Sequence, residues 1–251
     1  MALYTDGSVS ILSDLEAHDS AILDVSRTEN IDLTTKLSLA EEEVGVELEV
    51  FLRARSAAGL APPRLGQVVV TAPLRRWHSL QTLALVYGDA YESQLNDRYR
   101  GKWELFQRMS REARQLFYRS GAGIVLNPIP RAAPPVAVLG PIGSVPAGTY
   151  VIQAAWRDAG GNSGAASDSV VVDASAGEQI DVLATAAPEI ASGFDVYAGP
   201  TEDETALQNA APIAVAGSWH MPPTGLIAGP RPGSGQAPDY FIYHNQVIPR
   251  G

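Results

Sequence analysis

The sequence predicts an α + β chain of two architectures, an N-terminal helical bundle followed by a C-terminal β-sandwich, and three observations carry that reading. Up to about residue 119 the apolar side chains recur at steps of three and four, the period of an amphipathic helix. From Gly148 onward they alternate, in short runs separated by turns rich in Gly, Asn and Asp. Between the two lies "GAGIVLNPIPRAAPPVAVLGPIG", whose Pro and Gly content suits a semi-extended linker and no helix. The expected division is a helical domain at 1–125, a linker at 126–147, a sandwich at 148–225 and an extended C-terminal arm at 226–251.

The first helix is expected at "SDLE", where Ser13 and Glu16 have the spacing of a capping box. Leu15, His18, Ile22 and Val25 then continue along one face. Asp32 is a second N-cap candidate, followed by Leu33, Leu37, Ala40, Val44, Leu48 and Phe51 or Leu52, with Glu41, Glu42 and Glu43 mostly off that stripe. Gly59 and the Pro62–Pro63 pair end the helix. A third region starts near Arg75 and keeps its phase from Trp77 through Tyr87, Tyr91, Leu95, Tyr99, Trp103 and Phe106 to Leu116. That continuity predicts one long or gently broken helix of roughly 40 residues, about 60 Å; the alternative is two helices bent at Asn96–Asp97 or at Gly101. Arginines on its other faces make it amphipathic, so shorter acidic helices packed against it would give a small bundle.

In the second half, "TYVIQAAW" sets Tyr150, Ile152, Ala154 and Trp156 on one side of a strand and Val151, Gln153 and Ala155 on the other. "SDSVVVDA", "EQIDVLA", "SGFDVYAGP" and "PIAVAGSW" read as four further strands, a spacing typical of a sandwich.

Composition removes whole classes of function. With no cysteine there are no disulfides, thiolate metal sites or thiol catalysis. No apolar run is long enough to span a membrane, and "MALYTDGSVS" lacks the profile of a secretory signal, so the expectation is a soluble protein without a membrane partner, made in the cytoplasm. His18, His78, His220 and His244 are scattered singly, and no Walker loop, G-x-S-x-G or dinucleotide fingerprint occurs. Glu41, Glu42 and Glu43 project about 100° apart on a helix and cannot converge on one bond. The expectation is a non-enzyme without cofactor or metal.

Net charge is −10, arranged in blocks. Residues 1–60 hold 4 Lys/Arg against 12 Asp/Glu, residues 61–131 hold 11 against 5, and the remainder 3 against 11. Such blocks suit self-association or a charged partner; the competing reading is internal complementarity between helices. The last segment, "GSGQAPDYFIYHNQVIPRG", alternates like a strand after a Gly-Ser-Gly hinge, either covering its own domain or adding to a neighbour's sheet.

Residues 134–225, with "GTY", a Gly-rich turn, the S-x-x-V-x-V run "SDSVVV" and "GFDVYAG", resemble the immunoglobulin- or fibronectin-type modules of bacteriophage structural proteins. Residues 5–125, and above all "LNDRYRGKW" at Leu95–Trp103 and "SREAR" at Ser110–Arg114, resemble head-to-tail adaptor or connector proteins of tailed phages. An appended sandwich is not part of the minimal family pattern. The resemblance implies a virion structural protein at the neck: a ring, typically of twelve copies, docked on the portal protein and facing a tail terminator or other neck protein. Double-stranded DNA would pass through it without sequence recognition. On this reading Glu41, Glu42, Glu43 and Glu47 of one copy meet Arg98, Arg100, Lys102, Arg108, Arg111 and Arg114 of the next, and Tyr240, Phe241, Ile242, Tyr243, Val247 and Ile248 form an arm toward the portal or a neighbour. From another class, a carbohydrate- or surface-binding module on a helical stalk would use Trp156, Tyr197 and Trp219 as a platform.

Overall fold

A computed structural model describes residues 1–55, 61–94 and 97–243. Gly59, Leu95, Asn96, His244, Val247 and Ile248, which figure in the expectations above, lie outside the described residues. Five α-helices occupy the N-terminal half of the described chain and an antiparallel β region follows, an α + β layout. The chain divides into two compact units, one of residues 7–126 with the chain from Pro238 on, the other of residues 1–6 with 127–237. Among the described residues no helix is long and apolar enough to cross a membrane.

In the helical unit, α1 (Leu12–His18) and α2 (Ile22–Glu29) replace the single helix expected from Leu15 to Val25. The break is at Asp19, which is extended at φ −149° and accepts a bond from the Ala21 amide through its carboxylate. Leu15, Ile22 and Val25 are buried as expected, whereas His18 is exposed. The reach-back bond at the start of α1 comes from Asp14, whose carboxylate takes the Ile11 amide at 2.9 Å, and Ser13 lies inside the helix. Asp32 does cap α3 (Leu33–Arg55): its carboxylate accepts from the Thr34 amide and the Thr35 hydroxyl. The buried stripe of α3 runs Leu33, Leu37, Ala40, Val44, Leu48, Phe51 and Leu52.

The expected long helix is instead two, α4 (Ala72–Gln94) and α5 (Asp97–Ser120), folded against each other antiparallel. Tyr91 stacks on Trp103 with ring centres 5.5 Å apart, Tyr87 on Phe106 at 5.4 Å, and Trp77 lies 5.7 Å from Phe117. Each step back along α4 meets a step forward along α5. Gly88 makes room for the pairing, since a Cβ there would come within 3.1 Å of the Trp103 indole nitrogen. The unbroken phase misleads because both helices turn their stripes toward each other, so the stripe reads as continuous across the reversal.

After α5 the chain forms β1 (Ala122–Ile124). Strands β2 (Val136–Val145), β3 (Gly148–Asp158), β4 (Val170–Ala174), β5 (Glu178–Leu183), β6 (Ala191–Gly199), β7 (Ala206–Leu207), β8 (Ile213–Ala214) and β9 (Trp219–His220) follow, and β10 (Tyr240–Ile242) comes last. Strand β10 pairs antiparallel with β1 in the helical unit, Ala122 opposite Ile242 and Ile124 opposite Tyr240. Asp239 fastens the start of that pairing, its amide donating to the Ile124 carbonyl and its carboxylate accepting from the Leu126 amide. Gly121, at φ +89°, lies under Phe241 and Tyr243, where a Cβ would come within 3.0 Å of the Tyr243 ring and 3.1 Å of the Phe241 Cβ.

The β unit has two antiparallel sheets, one ordered β2-β5-β9 and the other β4-β3-β6-β7 with β8 also on β6. Ile180, Val182 and Trp219 of the first share an apolar core with Ile152, Trp156, Phe194 and Val196 of the second. The one strand expected from "PIAVAGSW" is split into β8 and β9, which belong to different sheets. Strand β2 occupies residues expected to be linker. It lies at a sheet edge and its register shifts between Gly140 and Val145, which is how Pro141 is accommodated. Residues 1–6 join this unit through Asp6, whose carboxylate accepts the amides of Leu3 and Arg131 at 2.7 and 2.8 Å.

Candidate functional site

The helical unit carries nearly all the residues expected to act. Several of them, among them Glu43, Glu47, Lys102 and Arg114, turn inward or along the bundle. Lys102 on α5 sits over the Tyr87 ring at 5.0 Å and donates to both oxygens of Asp19, at 2.6 and 2.9 Å, while the Tyr87 hydroxyl donates to Asp19 at 2.5 Å. Burial works against the Asp19 carboxylate, but Lys102, Tyr87 and the Ala21 amide outweigh it and hold its pKa below the ordinary value. Burial and that carboxylate drive the Tyr87 phenol far up. One turn earlier the Tyr99 hydroxyl donates to Glu29 at 2.7 Å, tying α5 to α2. Lys102 is thus paired within its own chain, with its side chain 42 % exposed.

On the flank where α3 meets α5, Arg114 contacts Glu47 at 2.6 Å. Tyr118 packs 4.7 Å from Phe51, and burial with Glu47 nearby pushes its phenol up to about 12. Burial also raises the Glu47 carboxyl, against the pull of Arg114. Glu43 accepts from Gln81 on α4, and Gln81 in turn accepts from Ser110 on α5, a relay across three helices. Glu41 is half-buried, which raises its carboxyl against a bond from the Val9 amide. Arg100 pairs with Glu104 one turn along α5, and Arg111 donates to the Gln107 carbonyl. Of the charges expected to bind a neighbouring copy, Glu47, Arg114 and Lys102 therefore meet one another's kind inside one molecule. Glu42, Arg98, Arg108 and Arg111 are exposed.

Apolar side chains absent from the expectation stand out on the same helices. Val46 and Val50 on α3 are each 64 % exposed, and Leu39 belongs to the same outward face. Val46, Val50, Phe51, Ala54 and Tyr118 line a groove of about 350 Å³ whose polar wall is Glu47 with Arg114 and Arg55. On α5, Leu105 and Leu116 are exposed. The signal was present in the sequence: Leu39, Val46 and Val50 are spaced seven and four, a second stripe on the side away from the core.

The arm residues have a partner within the chain. Tyr240, Phe241 and Ile242 form β10 on β1, and the Phe241 and Tyr243 rings lie 6.4 Å apart, both exposed on one side. The alternative platform is not exposed: Trp156, Tyr197 and Trp219 are all buried, so none offers a ring face to a sugar.

One nucleophile–base geometry was not foreseen. Ser10 Oγ lies 2.7 Å from His78 Nδ1, and His78 Nε2 lies 3.2 Å from the Leu37 carbonyl. With the Nε2–H donating to that carbonyl, Nδ1 accepts the serine proton. Both residues are almost fully buried, and burial lowers the imidazole pKa to about 4. A general base works best near the operating pH, so this pair is a packing lock joining residues 8–11, α3 and α4. Among the described residues no cluster of His, Asp and Glu has the makings of a metal site. Comparison with protein-family models, with curated proteins and with solved structures finds no match for this chain.

Proposed function

We propose that the chain is a self-assembling structural subunit, a head-to-tail connector at the neck of a tailed phage, forming a ring between the portal protein and the next neck protein. The observation that carries the reading is the helical unit's outer surface: an acidic α3 face and a basic α5 face, each with exposed apolar residues, on one molecule. Opposite faces of that kind suit identical copies joined head to tail, which close into a ring when the rotation divides a circle. Double-stranded DNA passes through such a ring without being read, and the outward arginines act between subunits. The second unit, with two antiparallel sheets around one core, supports an immunoglobulin- or fibronectin-type sandwich.

The test is native mass measurement and electron microscopy of the purified full chain, alone and mixed with the portal protein of the same structural cluster. A closed ring of uniform copy number is expected at micromolar concentration or on the portal. Monomers under both conditions would refute the proposal.

A further inference from the structure

The exposed apolar residues of α3 and α5 fall on faces that complement each other. On α3, Leu39, Val46 and Val50 point away from the buried stripe and are flanked by Glu42, Glu43 and Glu49, the last paired with Arg53 at 2.9 Å, so this rim is acidic on balance. On α5, Leu105 and Leu116 are eleven residues apart, which at about 100° per residue returns almost to the same direction, and Arg98, Arg108 and Arg119 flank them with Glu112 between, so this rim is basic on balance. The apolar parts match and the rims have opposite net sign.

The two faces do not meet within one molecule. Arg114 and Tyr118 turn toward α3 and the groove beside Val46. Leu105 is nine residues before Arg114, about half a turn of direction away, so the leucine face lies on the far side of α5. A contact between the α3 face of one copy and the α5 leucine face of another leaves the first copy with a free α5 face and the second with a free α3 face. It is heterologous and propagates.

Resting on the ring reading above, we infer that the occupant of the α3 face and its groove is α5 of a second copy of this chain, with Leu105 and Leu116 against Val46 and Val50 and Arg108 toward Glu42. Burying four exposed aliphatic side chains supplies the attraction, and the charged rims fix polarity and register. The internally paired Glu47 and Arg114 form a wall of this contact and do not reach across it.

The native chain has no cysteine, which makes a clean test possible. Val46→Cys and Leu116→Cys are introduced singly and together in the full chain, and each protein is treated at micromolar concentration with a short bis-maleimide. The double variant is expected to give a covalent ladder reaching the ring's copy number, each single variant to stay monomeric on denaturing gels, and a mixture of the two to stop at dimers. The mixture also excludes a link within one chain. Ring formation without a ladder overturns the assigned faces and leaves the ring standing. Dimers from either single variant overturn the heterologous geometry. Wild-type protein that never assembles, alone or with portal, overturns both this inference and the reading on which it rests. Melting curves matching the wild type exclude misfolding as the cause of any lost cross-link.

Discussion

Acidification from pH 7 to pH 5 should weaken the helical unit through one residue, His78. Its imidazole is fully buried, its Nδ1 accepts from Ser10 and its Nε2 faces the Leu37 carbonyl, so a second proton would have to displace the serine bond in a desolvated site. Burial depresses the folded pKa to about 4 from the ordinary 6.5. The unfolded chain therefore binds the proton more readily, and stability rises with pH across the window between those values. It is fully present above 6.5 and lost progressively as pH falls toward 4. At pH 5 the expected loss is about 2 kcal/mol, and near pH 4 about 3 kcal/mol. That is a sizeable share of the roughly 5–15 kcal/mol typical of a domain. The reference is His78→Gln, whose amide can still donate to the Leu37 carbonyl but cannot be protonated. Raised carboxyls such as Glu41 and Glu47 act with the opposite sign and are common to both proteins, so they cancel in the comparison. Urea unfolding followed by helical circular dichroism reports this unit, since all the α-helices of the described chain belong to it. If wild type and His78→Gln lose stability in parallel between pH 7 and pH 5, or if the His78 resonance titrates near 6.5, the burial argument is wrong.

Two further outcomes follow from the inward contacts. Lys102→Met leaves the Asp19 carboxylate, whose side chain is 9 % exposed, without its cation and should cost about 1–3 kcal/mol in urea unfolding, whereas Tyr87→Phe, which leaves Lys102 in place, should cost about 1 kcal/mol. Because the Asp19 pKa is depressed, its contribution is fully present above the ordinary carboxylate value and is lost as pH falls below that value through the lowered folded one, so the Lys102→Met penalty should shrink in acid. The third concerns boundaries: a fragment of residues 7–126 should melt several degrees below the same fragment with 238–243 joined after Leu126, because β10 completes the pairing of β1, a difference of about 1 kcal/mol. Equal melting temperatures would make β10 dispensable.

Local signals in the sequence were read well where the structure is local. The Asp32 cap and the α3 stripe, the alternation of β3 and the runs that became β4, β5 and β6 all depend on neighbours a few residues apart. What escaped depends on distant partners. Strand β10 reaches β1 from over a hundred residues away, and residues 1–6 reach the β unit through Asp6 and Arg131. A cut after Pro134, natural on composition, would divide the β unit and remove β10 from the helical one. Strand β2 hid because Gly140, Pro141 and Gly143 look like linker, and an edge strand with a register shift tolerates all three.

The charged residues give the sharper lesson about the candidate site. Blocks of opposite sign along a sequence are equally compatible with contacts between copies and contacts between helices, and only geometry separates the two. Here the separation runs through α5 itself. Lys102 and Tyr99 lie within the inward arc and find Asp19 and Glu29; Arg114, on the α3 side, finds Glu47. Each of these pairs links helices that a single straight 40-residue helix would have held apart. The reversal between α4 and α5 is therefore what uses those charges internally, and it leaves Arg108, Leu105 and Leu116 exposed on another side of α5. A sequence reading that keeps the helix continuous must send Lys102 and Arg114 outward. Once the hairpin is closed, the same residues become the cross-ties of one subunit.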